Sequence, residues 1–169
     1  MKKFGFTLAE VLIALSLIGI VSALALPSLM RASQHASIGA QLSKTQNAIE
    51  EAASRLVLEY AEIPFKDIEG FETKLADHLM MKSTTGGYKL KDGVVISFSS
   101  GGSGTIPSGA GSAFREVTVD VNGAGSPNSS GIDIFKFTLT DQGLIFPQGC
   151  AQIIQENNWK LPKNYNCSD

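Results

Sequence analysis

The chain has 169 residues, of which 139 follow an apolar stretch of thirty; that is the size of one ordinary domain and leaves no room for two. With 18% charged and 43% hydrophobic residues it is neither disordered nor a multi-pass membrane protein. The net charge is −2, and −4 without Lys2 and Lys3, so no basic field exists to hold nucleic acid, and His35, His78, Cys150 and Cys167 lack the spacing of a metal-ligand cluster.

From Phe6 to Met30 the chain reads FTLAEVLIALSLIGIVSALALPSLM, with Glu10 as its only charge. As a helix this run extends about 37 Å, enough to cross a bilayer. Lys2 and Lys3 precede it and hold the amino end on the cytoplasmic side, so the remainder is expected outside the cytoplasm. Two ordinary readings exist. One is a removable secretory leader, with Ala23-Leu24-Ala25 as the small-x-small site and Leu26 as the new terminus; the other is a plain membrane anchor. Both leave Glu10 unexplained. An acid interrupts the apolar run of a leader, and at a membrane helix centre a carboxylate costs about 2.5–3.5 kcal/mol on insertion scales.

The segment K-K-F-G-F-T-L-A-E-V-L-I-A-L resembles the class III leader of type IV pilins and type II secretion pseudopilins. The resemblance covers residues 1 to about 60 and extends to the remainder only in general organisation. It implies cleavage after Gly5 by a membrane aspartyl prepilin peptidase, methylation of the new terminus at Phe6, and an assembly role for Glu10. It implies a leader at 1–5, a transmembrane and assembly half-helix at 6–30 and a periplasmic or extracellular globular domain at 31–169. The implied partners are other pilin or pseudopilin subunits, the peptidase, an inner-membrane assembly platform and membrane lipid. The implied location is the bacterial inner membrane, crossed once, and then a pilus or pseudopilus. The implied work is structural, not enzymatic.

The physical logic stands beside the resemblance. Cutting after Gly5 removes both lysines and exposes a cationic amine at Phe6, four residues from Glu10 on one helix face. That amine can equally meet the carboxylate of an adjacent, staggered subunit, satisfying two groups that an apolar core tolerates poorly alone. Gly19 and Pro27 interrupt the helix, because proline lacks the N–H that would bond the carbonyl of Ala23 and glycine weakens the turns between. Either a functional kink or a tolerated one follows.

Past Met30, Ile38, Leu42, Ile49, Leu56 and Tyr60 recur at spacings of four and seven, with Ala52 and Ala53 filling a step, so the helix continues to about Ala61 and stops before Pro64. Its stripe predicts burial against a sheet. A second helical pattern spans Phe65 to Met81 through Ile68, Phe71, Leu75 and Leu79, with His78 at the surface or boundary. Tyr88–Lys91 and Val94–Phe98 read as a hairpin about Asp92-Gly93. Further strands are expected at Phe114–Val121, Ile134–Thr140 and Leu144–Phe146, giving an α+β, pilin-like fold in which a long N-terminal helix packs on an antiparallel sheet. The Gly/Ser run from Ser99 to Ala113 reads as a flexible loop and lacks the G-K-[ST] of a phosphate cradle.

In VDVNGAGSPNSSGID, Asp120, Asn122 and Asp133 offer oxygens for calcium, and the segment is similar to the Asp-x-Asn-Gly loops of minor pilins and pseudopilins, some of which bind that ion. The competing expectation is a turn in which Asp and Asn bond their own backbone, since Ala124 and Gly131 stand where an EF-hand would place ligands. Cys150 and Cys167 enclose a short helical stretch, Ala151–Asn157, and Trp159. Outside the cytoplasm they are expected to be oxidised, with about 3 kcal/mol of stabilisation on the chain-entropy model. The arrangement resembles the disulfide-bounded terminal region of pilins. No Ser-His-acid set or Cys-His pair stands at motif spacing, and no G-x-S-x-G elbow occurs.

Overall fold

The computed structural model describes residues 7–102, 104–123, 125, 127–162 and 165–167, without the side chains at 24 and 26–36. It divides into two units, Met1–Ser37 and Ile38–Asp169. Helix α1 covers Leu8–Glu59, and its helical backbone runs unbroken through Gly19 and Pro27. In the first unit Leu8, Leu12, Ile13, Leu17 and Val21 are all exposed, so the described helix is apolar on every face. Among the described residues no helix is long and apolar enough to cross a membrane. In the sequence the apolar run continues through residues 24 and 26–30, whose side chains lie outside the described set.

The second unit holds the core. Leu42, Ile49 and Leu56 are fully buried with Ala52 and Ala53, while Ile38 and Tyr60 flank them half-buried, which is the stripe the helical spacing predicts. They join Ile96, Val117, Val119, Phe135, Phe137 and Leu139 from the sheet in one cluster. The sheet is a six-stranded antiparallel meander: β1 (Lys82–Thr84), β2 (Gly87–Lys89), β3 (Val95–Ser100), β4 (Ala113–Asp120), β5 (Ile134–Thr140) and β6 (Ile145–Pro147). The β4–β5 pairing sets Val117 opposite Phe137 and Val119 opposite Phe135, all four buried on the core face.

Several boundaries differ from the sequence reading. The Phe65–Met81 helix divides into a 3₁₀ turn at Phe65–Asp67 and α2 at Phe71–His78, because Gly70 adopts φ +64°, outside helical space. Its apolar positions still bury Ile68, Phe71 and Leu75. Strand β1 is unexpected: its three residues are all exposed, so no alternation betrays it. The β2–β3 connection is a three-residue loop, Lys91-Asp92-Gly93, closed by Leu90 N–H to Val94 O (2.8 Å) and Gly93 N–H to Leu90 O (3.1 Å). The extra residue is accommodated by Gly93 at φ +99°. Helix α3 spans Gly149–Glu156, beginning two residues before the expected start.

The Gly/Ser loop is tied down. Thr105 N–H donates to the Gln148 side chain (3.0 Å), Ser112 N–H donates to Asp141 (2.8 Å), and Gly102 lies over Thr138, which is fully buried on the face opposite the main apolar cluster's β5 residues. Absence of side chains lets the backbone lie close to the sheet.

At the end of α2, Met81 N–H bonds Ala76 O (2.9 Å) and Met80 N–H bonds Asp77 O (3.0 Å), a Schellman closure that places Met80 at φ +51°. That position favours glycine, and the Met80 side chain is 69% exposed with little packing to lose. Met80→Gly is expected to raise stability by about 0.5–1 kcal/mol in urea unfolding. A lower midpoint would show that the Met80 side chain contributes more than its backbone strain costs.

Candidate functional site

The first described turn of α1 is built around Thr7 and Glu10. Thr7 Oγ1 accepts the Glu10 backbone N–H at 3.3 Å, while one Glu10 carboxylate oxygen accepts Thr7 N–H at 2.8 Å and Thr7 O–H at 2.7 Å. This is a reciprocal capping box: two helix-start donors are satisfied, and an acid sits where the positive end of the helix dipole favours it. The pattern T-x-x-E before an apolar run announces it in sequence, a signal the motif reading passed over by treating Glu10 only as an assembly acid. Beyond the cap, Ser16 is the next polar side chain, and its hydroxyl returns to Leu12 O at 2.8 Å. The carboxylate is therefore the one charged group on the described apolar helix between Leu8 and Val21. Gly5 and Phe6 lie outside the described residues.

The second predicted cluster comes together at the β4–β5 connection. Asp133 is 2% exposed, and both its oxygens are engaged: Oδ1 accepts Ser129 N–H (2.6 Å), and Oδ2 accepts Asn128 N–H (2.7 Å) and the Asn122 amide N–H (2.9 Å). Asp120 Oδ1 accepts Asn122 N–H (3.1 Å) and Gly123 N–H (2.8 Å), an Asx turn. In this geometry Asn122 presents nitrogen to Asp133, and the carboxylates face N–H donors. Asp120, Asn122 and Asp133 are thus brought into one hydrogen-bonded turn, with the Asn122 amide bridging to Asp133 and Asp120 closing its own Asx turn. Among the described residues no group of three or more His, Cys, Asp or Glu is placed to share an ion.

Burial pushes the Asp120 carboxyl above its ordinary 3.8, and the Asp133 charge pushes the same way against the two backbone N–H donors, which lower it. A folded-state value above the unfolded one means the folded chain holds the proton longer. Stability is therefore highest below the unfolded value and falls as pH rises through the folded one. Asp120→Asn keeps an oxygen for both N–H groups and removes the charge. It is expected to flatten the fall in melting temperature above about pH 4. An unchanged slope would assign that fall to other groups.

Cys150, fully buried in the first turn of α3, is joined to Cys167 by a disulfide with Cα atoms 5.8 Å apart. His78 stands at the surface of α2, its Nε2 3.2 Å from Glu59.

A helix that is apolar on every described face in its first unit, and whose second half is buried against an antiparallel sheet, gives the chain an α+β, pilin-like fold. Residues 1–26 match the family model described as the prokaryotic N-terminal methylation motif. The matched segment contains Gly5, Phe6 and Glu10, the positions on which the resemblance to class III prepilin leaders rests. No curated protein and no solved structure matches the chain.

Proposed function

We propose that this chain is a structural subunit of a type IV pilus or type II secretion pseudopilus, inserted in the inner membrane, cut after Gly5, methylated at Phe6 and polymerised through its N-terminal helix with like or related subunits. The observation that carries the reading is the capped carboxylate of Glu10 on a helix with no other charge between Leu8 and Val21, inside the matched motif. In the uncut chain Thr7 satisfies that carboxylate locally. After cleavage, the amine of Phe6 on a neighbouring subunit supplies a charged partner, and the exchange of lipid for neighbouring helices fixes the stagger.

Glu10→Ala and Glu10→Gln separate capping from pairing, since glutamine still accepts from Thr7 and carries no charge. Both are expected to insert and to be cut. Both are expected to lose filament incorporation, because breaking a buried pair costs about 3–5 kcal/mol at each contact. Normal incorporation of Glu10→Gln would remove the pairing. Intact mass of the wild-type chain checks the rest: a methylated Phe6 terminus is expected, and a Leu26 terminus or an uncut chain would replace the filament reading with secretion or anchoring.

A further inference from the structure

Two glycines from separate elements mark where the C-terminal segment is seated. At Gly39 of α1, a Cβ would stand 1.8 Å from the carbonyl oxygen of Trp159. At Gly131, which has φ +77° and precedes β5, a Cβ would stand 2.4 Å from the carbonyl oxygen of Cys167 and 2.9 Å from Cys150 Sγ. Backbone meets backbone at both places, so neither contact can be relieved by a side-chain rotation. At the first of them, Asn158 and Trp159 hold consecutive left-handed conformations at φ +55° and +58°. L-residues rarely adopt these unless their surroundings enforce them. Trp159 N–H bonds Ile154 O (2.9 Å), and Trp159, Leu161 and Tyr165 pack half-buried on the core.

Gly131 also belongs to the turn that Asp133 organises. Its N–H bonds Ile134 O (2.9 Å), and Asn128 and Ser129, three and two residues earlier, donate to the Asp133 carboxylate. The disulfide therefore abuts the 127–133 turn at one end while the segment it closes abuts α1 at the other.

We propose that the Cys150–Cys167 disulfide is a redox latch: its formation seats the C-terminal segment against α1 at Gly39 and, through Gly131, holds the 127–133 turn closed around Asp133. A dithiol reductant opens it. Two electrons and two protons pass from the dithiol to the bridge, the S–S bond breaks to two thiols, and the dithiol closes to its own disulfide. The released segment then relaxes its two left-handed residues, and the turn loses the wall behind Gly131.

Hydrogen exchange on the full chain in detergent micelles, oxidised against dithiothreitol-reduced, tests the latch. Reduction is expected to speed exchange about tenfold or more in peptides covering 127–134 and the α1 turn around Gly39, while β4 and the centre of β5 keep their protection. The Cys150→Ser/Cys167→Ser double variant is expected to reproduce this without reductant. Faster exchange confined to 157–167 would reduce the disulfide to a local staple and overturn the proposal. A uniform rise across β4 and β5 would also overturn it, because a latch leaves the sheet intact.

Discussion

Replacing Asp133 with alanine is expected to lower stability by about 2–4 kcal/mol, a fall of roughly 10 °C in melting temperature for a domain of this size. The Asp133 carboxylate is 2% exposed and receives three hydrogens, from Asn128 N–H, Ser129 N–H and the Asn122 amide. Alanine leaves those donors facing a cavity, and orphaned buried donors are costly where water cannot replace the lost partner. Asp133→Asn is expected to fall between the two: every oxygen of Asp133 faces at least one donor, so the carboxamide nitrogen must meet an N–H whichever way it turns. The same melting experiment addresses calcium. With both Asp133 oxygens turned to N–H groups and Asn122 offering nitrogen, EDTA is expected to leave the wild-type melting temperature unchanged. A calcium-dependent rise that vanishes in Asp133→Asn would show that the turn rearranges to bind the ion.

How much of this was legible in the sequence depends on which physical signal each part carries. The long helix, the buried stripe Leu42-Ile49-Leu56 and strands β4 and β5 were legible because a 3.6-residue or two-residue period runs through many positions and burial enforces it. Strand β1 carries no such pattern: Lys82, Ser83 and Thr84 are all exposed, and only pairing to Tyr88 and Lys89 makes them a strand. The break in the Phe65–Met81 helix was hidden for the opposite reason, since Ile68, Phe71 and Leu75 keep helical spacing across Gly70 and only the glycine's φ divides them. At the candidate site the acid at Glu10 stood out by its isolation, whereas its partner Thr7 required reading a capping box rather than a charge. In sequence Asp133 reads as a metal-ligand candidate. Its role as the centre of the turn rests on backbone donors five and four residues earlier, whose convergence no side-chain pattern encodes.

Gly39→Ala is expected to destabilise the protein by about 1–3 kcal/mol, opposite in sign to the usual effect of that substitution in a helix. In an unobstructed helix interior, glycine to alanine stabilises by about 0.8–1 kcal/mol, and Gly19 in the same helix, with nothing within 4 Å of its added Cβ, is expected to show no packing penalty. At Gly39 the methyl group would stand 1.8 Å from the Trp159 carbonyl oxygen. The obstacle is main chain, held by Trp159 N–H to Ile154 O (2.9 Å) and by Lys160 N–H to Asn157 O (3.2 Å), so the whole turn must move. Moving it withdraws Trp159 and Leu161 from the core edge that they half cover. Thermal melts of Gly39→Ala and Gly19→Ala, with tryptophan emission followed in both, check this, Trp159 being the chain's single tryptophan. The expected result is a lower melting temperature with red-shifted emission for the first and native emission for the second. A stabilised Gly39→Ala with unshifted emission would mean that the C-terminal turn does not rest on α1 at that glycine.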